Sequence, residues 1–211
     1  MKLRKSEIGL LAIIIASFGL GVYVYPLLPE KVASHWNMAG EVNCYMPKFW
    51  GAFLMPIISA ALFPLFLLIP RIDPKKQNIE KFRKYFDAFN ILFFLFLFYL
   101  FTLTLIWNLD ARFNMIQMLS PAFAVLFYYI GVMVAHAESN WSIGIRTPWT
   151  LSNEKVWKKT HDLGGKLFQI CGAVSLIGVV LPSYAIWLIL VPVVLTALVT
   201  IVYSYLVYRK I

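Results

Sequence analysis

Four side chains in one part of this sequence have the chemistry to hold a metal ion. His136 and Glu138 stand two positions apart, and His161 and Asp162 follow as an adjacent pair. Together they offer nitrogen and oxygen donors of the kind that binds a zinc-like ion. Their spacing matches none of the strongly diagnostic metal patterns, such as His-Glu-x-x-His or paired Cys-x-x-Cys. The expectation is therefore no metal and a hydrogen-bonded rim, with Glu138 or Asp162 pairing with Arg146. Arg146 lies in the turn-prone run Gly144-Ile145-Arg146-Thr147-Pro148-Trp149-Thr150. Its planar fork can clamp a carboxylate, a lipid phosphate or several backbone carbonyls, the last simply tying the loop to helix ends. A second polar group, His35-Trp36-Asn37, sits in a stretch punctuated by Pro29, Gly40 and Pro47 and is placed for specific contacts. There is no Gly-rich phosphate loop in a strand-to-helix context and no Gly-x-Ser-x-Gly elbow. Nor does any carboxylate sit deep in an apolar run, where a proton relay would need it. No enzyme chemistry and no cofactor is expected.

The elements that must position these residues are membrane helices. The chain is 61% hydrophobic and only 14% charged, against about 25% charged in soluble proteins. Its apolar runs are continuous rather than alternating, so they read as helices and not barrel strands. Spans are expected at about 8–25, 49–69, 89–108, 117–137, 163–181 and 184–207. The predicted fold is all-α: one polytopic domain over 1–211, a bundle of six transmembrane helices, with an outer loop at 26–48 and a cytoplasmic loop at 138–162. The fifth span is short unless its helix starts near Leu163 and Lys166 snorkels to the interface. Pro56, Pro64 and Pro192 fall inside spans, as kinks or as ordinary packing residues. The first span is too long for a signal peptide and is followed by Tyr25-Pro26-Leu27-Leu28-Pro29 rather than by a small-residue cleavage site.

Basic residues near span ends stay in the cytoplasm. With the N-terminus inside, 16 Lys and Arg face the cytoplasm (Lys2, Arg4 and Lys5 among them) and only 3 (Lys31, Lys48 and Arg112) face out. Both termini are therefore expected in the cytoplasm of a multi-pass cell-membrane protein. This distribution, with anionic lipid headgroups as the counterpart, accounts for the net charge of +9, and no nucleic-acid partner is called for. In the cytoplasmic loop, Ser152-Asn153-Glu154 supplies a cap and a first-turn carboxylate for a short interfacial helix running into span five. On that helix Val156, Thr160 and Leu163 share one face, and Trp157, His161 and Gly164 the adjoining one. Trp141, Trp149 and Trp157 read as interfacial anchors or as a recognition surface. Arg71 to Phe86 reads as a basic, headgroup-facing segment with Phe82 and Tyr85 dipping into the interface. Cys44 and Cys171 are expected to form no internal disulfide.

"GIRTPWTLSNEKVWKKTHDLGGKLF", Gly144 to Phe168, resembles the signature of the SdpI family of bacterial membrane proteins. "LPEKVASHWNMAGEVNCYMPKF", Leu28 to Phe49, resembles the outer-loop motif of a domain of unknown function that often precedes it. Characterised members of that family are immunity proteins against a secreted killing-factor peptide, and one also signals by holding a repressor at the membrane. The resemblance implies a toxin-peptide partner, a cytoplasmic regulator, and a motif of Arg146, Thr147, Pro148, Trp149, Thr150, Trp157 and His161. An outer-loop binding set of His35, Trp36, Asn37 and Pro47 is the matching expectation on the other side. A lipid- or small-molecule-binding protein or transporter, and a metal-dependent membrane enzyme, are the alternatives.

The expected topology has a direct check: a membrane-impermeant thiol reagent applied to intact cells should modify Cys44 and fail to reach a Ser152→Cys substitution. The opposite labelling pattern would reverse the assignment.

Overall fold

The computed structural model describes residues 3–38 and 40–211; Lys2, counted above among the inward-facing basic residues, lies outside them. The helices are α1 (Lys5–Val24), α2 (Lys48–Ile72), α3 (Lys76–Lys81), α4 (Arg83–Asn108), α5 (Met115–His136), α6 (Pro148–Ser152), α7 (Glu154–Ile177) and α8 (Ala185–Tyr208). Among the described residues, five segments are long and apolar enough to cross a membrane: Lys5–Leu27, Lys48–Ile72, Arg83–Asn108, Met115–His136 and Pro182–Tyr208. α7 is not one of them. Its first half carries Lys155, Lys158, Lys159, Asp162 and Lys166, so what was read as a short interfacial helix leading into span five is one continuous 24-residue helix, polar at its start and apolar at its end.

α7 packs antiparallel along α5 with almost no space between the backbones. A Cβ on Gly172 would lie 2.6 Å from the Ala124 carbonyl oxygen, and one on Gly165 would lie 2.8 Å from the Ala135 Cβ. Glycines seven apart on one helix face thus let the two helices touch by backbone, as small residues do between membrane helices. The pairing continues to the far end of α5, where Gln117 Nε2 donates to the Val179 carbonyl at 2.8 Å. Gln117 and Asn114, polar interruptions in the fourth apolar run, are helix-start residues, Asn114 capping α5 by accepting from the Gln117 amide.

Two expectations need correction. The chain is not purely helical: the outer loop contains an antiparallel hairpin, β1 (Lys31–Trp36) and β2 (Val42–Pro47), joined through Gly40 at φ 80°. Val32 and Ala33 are fully buried against the bundle. The Asn108 side chain at the end of α4 accepts from the Ala33 N–H at 2.7 Å and donates to the Ala33 carbonyl at 3.1 Å, standing in for a third strand. Nor does Phe82 dip into the interface: the Arg71–Phe86 segment keeps Lys76, Lys81 and Lys84 exposed but turns Ile79, Phe82 and Phe86 inward. Ile79 and Phe82 are buried and cluster with Phe86, Met133, Ala137, Ile143 and Trp157. Arg83 is buried between Glu7 (3.6 Å) and Asp87 (2.7 Å), and Arg71 pairs with Glu7 at 2.7 Å. Three arginines with Arg4, matched by Glu7, Glu80 and Asp87, join the starts of α1 and α4 to the end of α2.

The start of α1, the α2–α4 connection, the 137–153 segment and the end of α8 therefore gather at one end of the bundle, and the hairpin lies at the other. Asn108→Ala should strip Ala33 of both partners and cost about 2 kcal/mol, because a buried N–H would be left unmatched. Faster hydrogen exchange at the Ala33 amide with unchanged helix content is the expected signature; unchanged exchange would mean the bond holds nothing.

Candidate functional site

The polar segment between α5 and α7 is folded by side chains that saturate its backbone. Asn140 is almost fully buried. Its carbonyl oxygen accepts from the Ser142 and Ile143 amides at 2.9 and 2.6 Å, and its Nδ2 donates to the Glu138 and Ile143 carbonyls, both at 2.8 Å. Asp73, at the end of α2, accepts from the Trp141 amide at 3.0 Å and the Ser142 hydroxyl at 2.6 Å. Lys75 Nζ and Asn78 Nδ2 donate to Ser139 at 2.9 and 2.8 Å. None of Asp73, Lys75, Asn78 or Asn140 stood out in the sequence. The available signal was Asp73-Pro74, a turn-starting pair at the end of an apolar run.

α7 supplies the other wall. Trp157 is buried and donates from Nε1 to the Ala137 carbonyl at 2.7 Å. Four residues on, His161 stacks on the Trp157 ring at 4.0 Å between centroids. The Ile145 amide donates to His161 Nε2 at 3.0 Å, which makes Nε2 the unprotonated nitrogen, and Nδ1–H donates to the Trp157 carbonyl at 2.8 Å. Gly144, at φ 122°, passes directly over this imidazole, where a Cβ would collide with His161 Nε2. Burial pushes the His161 pKa down from 6.5 to about 4, against the smaller opposing effects of the Trp157 carbonyl and Asp162.

Thr147 and Thr150 form a reciprocal capping pair for α6, with Pro148 at its first position. The Thr150 amide donates to Thr147 Oγ1 at 3.1 Å and the Thr147 amide to Thr150 Oγ1 at 2.9 Å. Thr147 also bonds Ser204 of α8 at 3.0 Å, and Trp149 lies 5.1 Å from Tyr205. α7 is capped by Asn153, which accepts from the Lys155 and Val156 amides; Ser152 is not the cap. Arg146 is exposed and donates to the Trp141 carbonyl at 2.8 Å. Among the described residues it forms no ion pair with Glu138 or Asp162, which corrects the expected rim. Its guanidinium keeps donors free toward solvent.

His136, Glu138, His161 and Asp162 do line one polar cavity of about 410 Å³, together with Glu154 and Lys158. Among the described residues, however, no three metal-ligating side chains converge. His136 stacks on Tyr85 at 3.9 Å and donates from Nδ1 to the Val132 carbonyl, while both His161 nitrogens are committed as above. At the hairpin end, His35 bonds Asn43 at 2.6 Å, and the Asn37 carbonyl oxygen accepts from the Glu41 amide at 2.9 Å. These two residues therefore stitch the hairpin to itself. Pro47 is an exposed residue ending β2, and Trp36 packs edge-on against Trp107 at 5.4 Å. Cys44 is exposed, Cys171 is buried, and both are free.

Residues 136–204 match the SdpI/YfhL protein family, and residues 12–60 match the domain of unknown function DUF1648. The chain is 25% identical over 207 residues to "Immunity protein SdpI" of Bacillus subtilis (strain 168), covering 98% of this chain and 97% of that protein. No solved structure matches. The family resemblance carried by the loop sequence thus holds on independent comparison.

His161 makes the loop acid-sensitive. A buried imidazole whose folded pKa is lowered is neutral in the fold, so it costs nothing above 6.5. Stability falls as pH drops from 6.5 toward about 4, where the unfolded chain protonates first. The loss should approach about 3 kcal/mol. His161→Phe should be less stable at neutral pH, because the Ile145 amide loses its acceptor, yet flatter through that acid window. Thermal midpoints in detergent across the pH range read both effects; parallel curves for the two proteins would remove His161 as the sensor.

Proposed function

We propose that this chain, which carries the SdpI/YfhL segment over residues 136–204 and aligns with Immunity protein SdpI along 98% of its length, is a membrane immunity and signalling protein. It protects its cell from a secreted, membrane-acting toxin peptide. It meets that peptide at the hairpin end and answers through the Arg146–Thr150 loop to a cytoplasmic regulator. The role is recognition rather than catalysis.

The observation that carries this reading is the coincidence of the family segment with the most heavily cross-bonded polar unit in the molecule, the loop tied to Asp73, Asn140 and His161. Within that unit Arg146 is exposed and spends only one bond on the fold, so its remaining donors suit a partner. A transport reading finds less support. Thr102, Thr104, Ser175 and Thr200 each bond a carbonyl of their own helix, so these hydroxyls are not left free to line a path along the spans.

The topology belongs to the same proposal. α7 follows α5 from Gly131–Gly165 to Gln117–Val179, so if α5 crosses the bilayer α7 crosses it too. On this reading there are six crossings, and both chain ends lie on the side where Lys and Arg accumulate, the cytoplasm. The hairpin then faces out, where a secreted peptide arrives.

Toxin-sensitive cells provide the test. His35→Ala combined with Trp36→Ala should abolish peptide binding. Arg146→Ala should leave binding and protein level intact while abolishing protection or signalling, and Lys158→Ala, on the exposed face of α7, should stay within about 0.5 kcal/mol of neutral. Unchanged binding in the hairpin variant removes the proposed capture site, and equal behaviour of the Arg146 and Lys158 variants removes the loop's role.

A further inference from the structure

Helix α2 has the hairpin at one end and the Arg146 loop at the other. At its start there is no linker, since β2 ends at Pro47 and α2 begins at Lys48. Gly51, in its first turns, seats the buried Val32 of β1 so closely that a Cβ there would lie 2.7 Å from the Val32 Cβ. The Lys48 amide also donates to the Glu30 carbonyl at 3.0 Å. The helix then runs for 25 residues, about 37 Å, to its C-terminal cap Asp73, whose amide donates to the Ile69 carbonyl at 3.2 Å. Asp73 is only 3% exposed, and its two carboxylate oxygens have different partners. Oδ1 accepts from the Lys75 amide at 2.7 Å, closing a local turn. Oδ2 accepts from the Trp141 amide at 3.0 Å and the Ser142 hydroxyl at 2.6 Å. The turn needs one oxygen, which Asn would supply as well; the charge, costly to bury, serves the second set. Between those two donors lies the Trp141 carbonyl, the group to which Arg146 Nη1 donates at 2.8 Å.

We propose that Asp73 is the positioning residue through which the hairpin end restrains Arg146. With the hairpin seated on α2, Asp73 Oδ2 holds Trp141 and Ser142, and the carbonyl between them holds the guanidinium. Displacing the hairpin shifts α2, the Oδ2 bonds break, and the whole fork of Arg146 is released to its partner. The link is thus a discrete contact, made or broken, and not mere position between two sites. Lys75 and Asn78 reach the same loop, but they end on Ser139, two residues short of the group that Arg146 binds. The inference rests on the immunity reading of the hairpin and Arg146 and supplies the connection between them.

Amide exchange in the full chain, labelled with nitrogen-15 tryptophan and held in nanodiscs, tests the link without any toxin. Asp73→Asn keeps one oxygen for the Lys75 turn and presents an NH2 group in place of the other. Exchange at the Trp141 amide should then speed about tenfold, the worth of a bond to a charged acceptor. The Trp157 amide, bonded to the Asn153 carbonyl at 2.9 Å, should not change. Val32→Ala loosens the hairpin's seat at the far end of α2. It should speed the Trp141 amide about fivefold, the low end of coupling between sites, and add nothing in the Asp73→Asn protein. Lys75→Ala should leave that amide unchanged. In cells, Asp73→Asn should respond without toxin, and Asp73→Asn with Arg146→Ala should be silent, a pattern that loss of structure does not produce. A Trp141 amide that ignores Val32→Ala, or that Val32→Ala still speeds in the Asp73→Asn protein, overturns the proposal. So does a silent Asp73→Asn protein that folds normally. If Arg146→Ala leaves the response intact, the loop's part in immunity is what fails, and the Trp141 exchange alone decides the tie through Asp73.

Discussion

Irregular backbone at the end of an apolar bundle must find its hydrogen-bond partners among neighbouring helices, because hydrocarbon cannot supply them. Everything distinctive in this chain follows from that demand. At the hairpin and in the loop between α5 and α6, buried polar side chains act as a surrogate backbone. Asn108 presents both a donor and an acceptor to Ala33, so a two-stranded hairpin rests on the bundle as though on a third strand. Asn140 does the same inside its own loop, and Asp73 reaches that loop from α2. His161 completes the set with a neutral ring, the protonation state in which an imidazole can accept from one amide while donating to a carbonyl.

The same demand shapes the packing. Of the buried charge at the end of the bundle, Glu7 receives both Arg71 and Arg83, since an unpaired ion there would be strongly destabilising, while Asp73 is satisfied by backbone amides and the Ser142 hydroxyl. Where no polar work is needed, the helices close to backbone contact through Gly165 and Gly172. α7 joins both regimes in one rod. Its first turns carry the loop's ring stack, and further along Gly165 and Gly172 bring its backbone against α5.

Hydropathy made the long helices legible, because spans of about 20 apolar residues have few other solutions. It also located the loop, and of the two adjoining helical faces read from the i, i+4, i+7 pattern, Trp157, His161 and Gly164 are buried, as are Val156 and Thr160, while Leu163 is half-buried. The hairpin was hidden for a physical reason: its strands are six residues each, and their burial comes from the bundle beneath rather than from alternation along the strand. Asp73 and Asn108 were hidden too. Their importance lies in partners as many as 75 residues away in the chain, which local spacing does not encode. Arg146 illustrates the converse. Its residue type invited an ion pair, and the structure gives it a carbonyl instead.

The attachment of the loop to Asp73, Lys75 and Asn78 has a consequence for biogenesis. These bonds join residues 61 to 69 positions apart, so the α2–α3 junction emerges from the ribosome well before the segment that will satisfy it. At synthesis rates of about 5–20 residues per second, that interval lasts roughly 3–14 s. Throughout it the nascent chain carries an unmatched carboxylate at Asp73 and, at Ile79 and Phe82, an apolar surface whose cover has not been made. Insertion of α1 to α4 therefore yields an intermediate that needs shielding, and the arrival of Ser139 to Ile143, after α5, is the step at which the two halves of the protein become one folded unit.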